Sequence, residues 1–268
     1  MMRALIFFLI AAIVTFSCES TTQSADTKKD PTDQKEYYQL KVYTFDSELQ
    51  QSLTDEYLAE AFLPVLKKLG IQNIGVFKKR LSESDSVLQT YVLIPFNRLE
   101  TFLSLDTALL SDQDYLSKGA GYLSASHANP PYKRIESILL SAFRDFPILK
   151  PTPLDGPRKD RIYELRSYES PTESYYLNKV EMFNEGGEVA LFDRLGFNAV
   201  FYADVISGPK MPNLMYMTTF SNQDSRDEHW KSFGDAPEWK ELIGNSYYEN
   251  NVSHADIIFL YPAEYSDY

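Results

Sequence analysis

Glu164, Arg166, His254 and Asp256 are the residues of this sequence whose types best suit chemistry. A histidine beside carboxylates can take and return a proton near neutral pH, and an arginine can fix an anionic substrate against them. In that arrangement His254 is the general base, Asp256 or Glu164 orients it, and Arg166 clamps the anion with Tyr168 beside it. The same four residues also suit a plainer role, as cross-strand salt bridges on a partly solvated sheet. An earlier group, Lys41, Arg134 and Glu136, reads as ligand-binding but contains no histidine, so the second half of the chain is the better place for a single site.

Other chemistries find less support. His127 sits in a Ser/Ala/Asn/Pro-rich loop without a nearby partner and reads as a surface residue; His229 precedes Trp230 on a short amphipathic helix and reads as packing. No His-x-x-x-His, His-Glu-x-x-His or Cys-x-x-Cys spacing occurs, which argues against a dedicated metal site. No cofactor is evident, although three histidines leave an axial haem ligand open. Phosphate-cradling glycine loops and Gly-x-Ser-x-Gly elbows are absent, and Glu185-Gly-Gly-Glu188 reads as a helix kink. Trp230, Phe233 and Trp239, spaced three and then six apart, read as core. Asn251-Val252-Ser253 matches a glycosylation acceptor in form only.

The elements that must carry these residues come in two copies. Tyr38-Gln-Leu-Lys-Val-Tyr43 returns 125 residues later as Tyr163-Glu-Leu-Arg-Ser-Tyr168, and Lys68-Leu-Gly-Ile71 returns as Arg194-Leu-Gly-Phe197. Four prolines between Pro147 and Pro157 make a stiff connector between the copies. Each copy reads as an opening strand (37–45; 162–168), a helix (47–69, kinked at Pro64; 171–195) closed by Gly70 or Gly196, two strands, short helices and a closing strand (132–142; 252–261). The order β-α-β-β-α-β is the ferredoxin-like plan. The fold class expected is therefore α+β, with modules over 37–146 and 161–268 joined by a linker over 147–160.

Strand alternation sorts the side chains into two faces. Tyr38, Leu40 and Val42, with Tyr163, Leu165 and Ser167, are expected against the helices. The opposite face carries Lys41, Tyr43, Glu164, Arg166 and Tyr168, and is expected to meet Arg134, Glu136, His254 and Asp256 of the closing strands. The two sheets then cover each other on those faces and close a barrel within one chain, whose cavity binds a small, partly apolar molecule. A non-catalytic protein-interaction module, with the barrel as scaffold, is the alternative. An internal pseudo-dimer of this kind is expected to be a monomer.

Composition sets the outer limits. The chain has 268 residues, 44% hydrophobic and 24% charged, as a folded globular protein should. With 26 Lys and Arg against 38 Asp and Glu, a net charge of -12 argues against a general nucleic-acid binder. One cysteine excludes a disulfide framework. That cysteine, Cys18, follows an apolar run from Ala4 to Phe16, too short for the roughly 20 residues of a membrane span and suited to a signal peptide over 1–17. The small Ser17 before it fits a relaxed lipobox, so Cys18 is expected to be lipidated and residues 18–36, which lack large apolar side chains, to tether the body. The address expected is a bacterial cell envelope, lipid-anchored on the periplasmic side or at the outer membrane.

Ile162 to Tyr168 resembles the opening strand of NIPSNAP domains, and Arg226, His229-Trp230, Phe233 and Pro237-Glu238-Trp239 resemble that family's W-x-x-F…P-E-W helix pair. The resemblance covers residues 161–268 directly and 37–146 only through the repeat, because the first copy has Gln39 and Lys41 for Glu164 and Arg166 and lacks the tryptophans. It implies the dimeric α+β barrel superfamily, here as a tandem. That superfamily includes small-molecule monooxygenases, isomerases and haem-handling enzymes alongside members without known chemistry.

Overall fold

The computed structural model describes residues 35–268 apart from Thr152 and Asp155. The apolar N-terminal run, Cys18 and the tether as far as residue 34 lie outside the described residues. Glu36, expected in the tether, already belongs to the body: its backbone N–H donates to the Pro147 carbonyl at 2.9 Å and its carboxylate accepts the Leu149 N–H at 2.7 Å. Among the described residues, no helix is long and apolar enough to cross a membrane.

The first half runs β1 (Tyr37–Phe45), α1 (Glu48–Tyr57), α2 (Leu63–Lys68), β2 (Gly75–Lys79), β3 (Leu88–Phe96), α3 (Leu99–Leu110), α4 (Gln113–Lys118), α5 (Ala120–Leu123) and β4 (Arg134–Ala142). The second runs β5 (Ile162–Glu169), α6 (Glu173–Phe183), α7 (Glu188–Arg194), β6 (Phe201–Ser207), β7 (Asn213–Phe220), α8 (Gln223–Asp235), α9 (Pro237–Gly244) and β8 (His254–Pro262). The helices start where side chains can satisfy free N–H groups: Ser47, Thr172 and Asn222 accept from Gln50, Tyr175 and Ser225 respectively. Pro64 does not break its helix. A π-helical turn over Leu58–Phe62 joins α1 to α2, which places Pro64 in the first turn of α2, where a missing N–H is tolerated. The Gly-Gly pair does divide α6 from α7, because Gly187 takes a left-handed φ of +83° that a Cβ would resist.

All eight strands pair antiparallel in one closed barrel of order β1-β3-β2-β8-β5-β7-β6-β4, so the two βαββαβ halves join at β2–β8 and β4–β6. The fold class read from the repeat is the one observed. The faces, however, are reversed. Tyr38, Leu40, Tyr163 and Leu165 point into the barrel and pack there with Phe77, Phe201, Met217, Leu260 and Tyr268. The helices cover the other side, where Tyr43, Val76, Val92 and Ile94 meet α1 and α2, and Tyr202, Leu214 and Tyr216 meet α6, α7 and α8. Eight strands leave an interior just wide enough for side chains to fill, and bulky apolar residues fill it.

Candidate functional site

Register decides which polar residues can meet. In β5 and β8, Ser167 stands opposite Asp256, Arg166 opposite Ile257 and Glu164 opposite Phe259. Directly paired residues share a face of the sheet. His254 and Asp256 therefore lie on the barrel-interior side, at the mouth, while Glu164, Arg166 and Tyr168 lie on the helix side. The proposed acid–base group is not assembled. In the first half Val42 stands opposite Glu136 and Lys41 opposite Ser137, which separates Lys41 from Arg134 and Glu136 in the same way.

At the mouth, His254 is more than half exposed and its Nε2 lies 3.1 Å from Asp256. Asp256 also accepts from Lys210, whose ammonium is 3.7 Å from Glu169. Burial presses the Asp256 carboxyl upward, but the bonds from Lys210 and His254 outweigh it and hold the group below its ordinary value. Glu169, His254 and Asp256 come close enough to hold a cation, and Lys210 already supplies one there. Glu136 reaches the same mouth from the other half. The Tyr91 hydroxyl is pushed up by burial first and then by the charges of Glu136, Asp85 and Asp256. Arg134 is exposed and donates to the Lys133 carbonyl.

The second half builds a denser cluster under its helices. Glu164 is fully buried and accepts from Arg166 Nε at 2.7 Å, from Arg226 Nε at 2.7 Å and Nη2 at 3.1 Å, and from the Trp230 indole N–H at 2.9 Å. Arg226, Trp230 and Phe233 occupy successive turns of α8, so one face of that helix supplies two of those donors and then an apolar wall. The Arg166 guanidinium stacks on Trp230, 3.7 Å from the ring centre, and its Nη1 donates to the Tyr168 hydroxyl at 2.9 Å. Tyr168 in turn lies 2.7 Å from the buried Tyr216 hydroxyl. Below them Lys179 of α6 and Glu188 of α7 form an ion pair at 2.8 Å with side chains 4% and 3% exposed, and the Lys179 ammonium lies 4.7 Å from the Phe183 ring centre.

These groups surround a cleft of about 500 Å³ between the sheet, α6, α8, α9 and the segment entering β8. Arg166, Tyr168, Lys179, Trp230, Phe233 and Trp239 line it, with Tyr248 and Asn251 at the rim. No histidine lines it among the described residues: His229 packs against Phe197 and Phe220, and His127 borders a separate cleft of about 510 Å³ beside Asp46, Tyr132 and Lys133. Trp230 and Trp239 are thus both packing residues and cleft walls, since each is only partly buried and rests on the Phe233 ring. Chemically, the cleft offers flat apolar surface, two cationic heads and a buried chain of hydroxyls. Glu164 is no base there, because three donor side chains already surround its carboxylate and no solvent reaches it.

In the first half the positions equivalent to Arg166 and Tyr168, Lys41 and Tyr43, are packed among aromatic rings. Lys41 lies over Phe62 at 5.0 Å and Tyr43 at 5.5 Å, and Tyr57 stacks on Tyr122 at 3.8 Å and shares a 2.9 Å hydrogen bond with Tyr115. Sequence reasoning named Arg166 and Tyr168, but for the barrel interior rather than for this cleft, and did not name Lys179, Glu188 or Arg226 as site residues. One signal was available: Tyr176, Lys179 and Phe183 fall on one helical face, and a lysine inside an apolar stripe needs a partner.

Residues 163–267 match the NIPSNAP family model. No curated protein matches the chain. Among solved structures, the chain is similar to a protein provisionally assigned as a monooxygenase from Lactobacillus acidophilus NCFM, at 12% identity and a TM-score of 0.56 over 85% of this chain and 94% of that one. A second protein with the same provisional assignment, from Fusobacterium nucleatum subsp. nucleatum ATCC 25586, gives 12% identity and a TM-score of 0.52 over 85% and 93%. A NIPSNAP family protein of unknown function from Agrobacterium tumefaciens str. C58 covers 42% of this chain and 98% of its own length at 18% identity and a TM-score of 0.36. At such identities the first two likenesses establish the fold alone, the dimeric α+β barrel completed within one chain. Its second half, residues 163–267, is the part that matches the NIPSNAP family model.

Proposed function

We propose that this protein binds a small, flat, partly apolar molecule in the cleft between the sheet and helices of its second half, while anchored to an envelope membrane through Cys18. The barrel interior, where the sequence first suggested a cavity, is filled by its own side chains. The observation that carries the reading is a cleft of about 500 Å³ walled by aromatic rings and a few convergent polar groups under the helices of the second half. Clefts of this size and lining are where proteins bury small ligands. The first half then serves to close the barrel.

Trp230 and Trp239 are the chain's two tryptophans, and both line the cleft. Emission excited at 295 nm therefore reports on the cleft alone. N-phenyl-1-naphthylamine, an apolar acceptor of tryptophan emission, should quench it saturably with one molecule per chain. Replacing Ala255, an exposed lining residue, by Phe should fill the space and weaken that binding. Non-saturable quenching, or quenching untouched by A255F, would refute the cleft as a binding site.

A further inference from the structure

Resting on the cleft as a binding site, we infer that its ligand is an anion: a carboxylate or sulfonate carried on a flat aromatic or conjugated body. Arg166, Lys179 and Glu188 line the cleft; Glu164, fully buried, and Arg226, half-buried, stand beside it without lining it, so the five groups comprise three cations and two carboxylates. Three further carboxylates stand outside that set, of which Glu181, half-buried, accepts from the Tyr247 and Tyr248 hydroxyls. Asp227 pairs with Arg226 at 2.9 Å but is more than half exposed, and Glu249 sits on the rim in solvent, so water screens both.

What a ligand would meet differs from the count. Glu164 is 0% exposed behind its donors, while Lys179 and Glu188 line the cleft together, 4% and 3% exposed, and offset each other, so Arg166 is the cation left to face a ligand. Arg166 keeps 11% of its side chain accessible, and it lines the cleft. Its Nε and Nη2 contact Glu164 and its Nη1 donates to Tyr168, which leaves one N–H on each terminal nitrogen for the two oxygens of a carboxylate or sulfonate. The guanidinium and the Trp230 ring on which it lies present a flat shelf, and Trp239 and Phe233, 4.5 Å apart between ring centres, extend the aromatic wall. Charge and flat surface thus adjoin. A ligand with an acidic group joined to an aromatic skeleton would engage both at once, whereas a neutral one would leave the two remaining Arg166 N–H groups without an anionic acceptor.

The test uses two dyes that differ by one sulfonate, 1-anilinonaphthalene-8-sulfonate and N-phenyl-1-naphthylamine, titrated against the full chain in detergent-free buffer. The net charge of -12 repels the anionic dye everywhere else, so a preference for it needs a local cation. The sulfonate should bind about tenfold tighter or better, as expected of a charge-assisted hydrogen bond in a sheltered site. In R166Q the preference should collapse toward parity; R166K should retain part of it, and H254A, at the barrel mouth, all of it. A second measurement needs no variant: 2-naphthoate should displace N-phenyl-1-naphthylamine at about tenfold lower concentration than 2-naphthalenemethanol. Equal affinities, or tighter binding of the neutral partner in either pair, would overturn the anion inference and leave the cleft standing. Binding of no probe at all would overturn both.

Discussion

Replacing Glu164 by Gln removes one negative charge from the centre of the second half while keeping its shape. The native carboxylate has no solvent contact and holds two guanidiniums and an indole N–H, with donor distances of 2.7 to 3.1 Å. The glutamine keeps one acceptor oxygen, but its amide group turns a donor toward Arg166 or Arg226. The two arginines, 11% and 19% exposed, are then left as like charges over a shared neutral group. Breaking a buried ion pair at one partner costs about 3–5 kcal/mol, and the partial access of the arginines to water places E164Q near the lower figure, about 3 kcal/mol. For a body of this size that loss lowers Tm by roughly 6–12 °C. Far-UV circular dichroism gives the melting point, and urea unfolding followed by tryptophan emission reads the same loss as a fall in the midpoint of about 1 M. Combining E164Q with R166M should recover part of the loss, because one unpaired cation goes with the charge. Unchanged melting in E164Q, or additive losses in the double variant, would show that the charges are not coupled as described.

Other changes should behave as follows. Leu165 is fully buried inside the barrel, so L165A should cost about 3 kcal/mol by leaving a cavity, measurable by urea unfolding, without altering dye affinity in the cleft. Asp256 has its pKa lowered in the folded state, so its contribution is present above the ordinary carboxylate range and is lost as pH falls through the depressed value. D256N should therefore be less stable than the parent at pH 7 and approach it at pH 3, as urea unfolding at the two pH values would show. Glu181 accepts from the Tyr247 hydroxyl at 2.9 Å and helps to hold the segment after α9 over the cleft; E181A should speed dye entry and release in stopped-flow mixing with little loss of Tm. A barrel with every strand paired offers no edge to a second copy, and light scattering of the unprocessed chain should give a monomer of 30.8 kDa.

The fold was legible because the repeat is carried by backbone-determining residues. The two opening strands and the helix-ending Gly70 and Gly196, with φ of +85° and +74°, mark equivalent points in both halves. The site was legible only in part. Alternation in Tyr163–Tyr168 separates two sets of side chains, but both faces of this barrel wall are buried, so hydrophobicity does not say which set turns inward. The reversed assignment follows from that ambiguity. Placing His254 with Arg166 required the register between β5 and β8, which depends on a one-residue choice that local sequence does not specify. Lys179 and Glu188 come together through the bend at Gly187, so their contact belongs to tertiary structure.

Closing the barrel at β2 and β8 has a consequence for how the chain must fold. Phe77 pairs with Pro262 and Lys79 with Leu260, so a strand made early waits for one made nearly two hundred residues later. The other junction, Ala142 with Ala203, spans far less chain. Contacts of such long range form late, because loop-closure entropy must be overcome before pairing rewards it. Until β8 arrives, β2 remains an unpaired edge on a nearly complete sheet, with the Phe77 side of the interior open. A chain emerging slowly, whether from a ribosome or through a membrane channel, therefore passes through a stage at which β2 can capture a foreign strand. Completion of β8 ends that exposure.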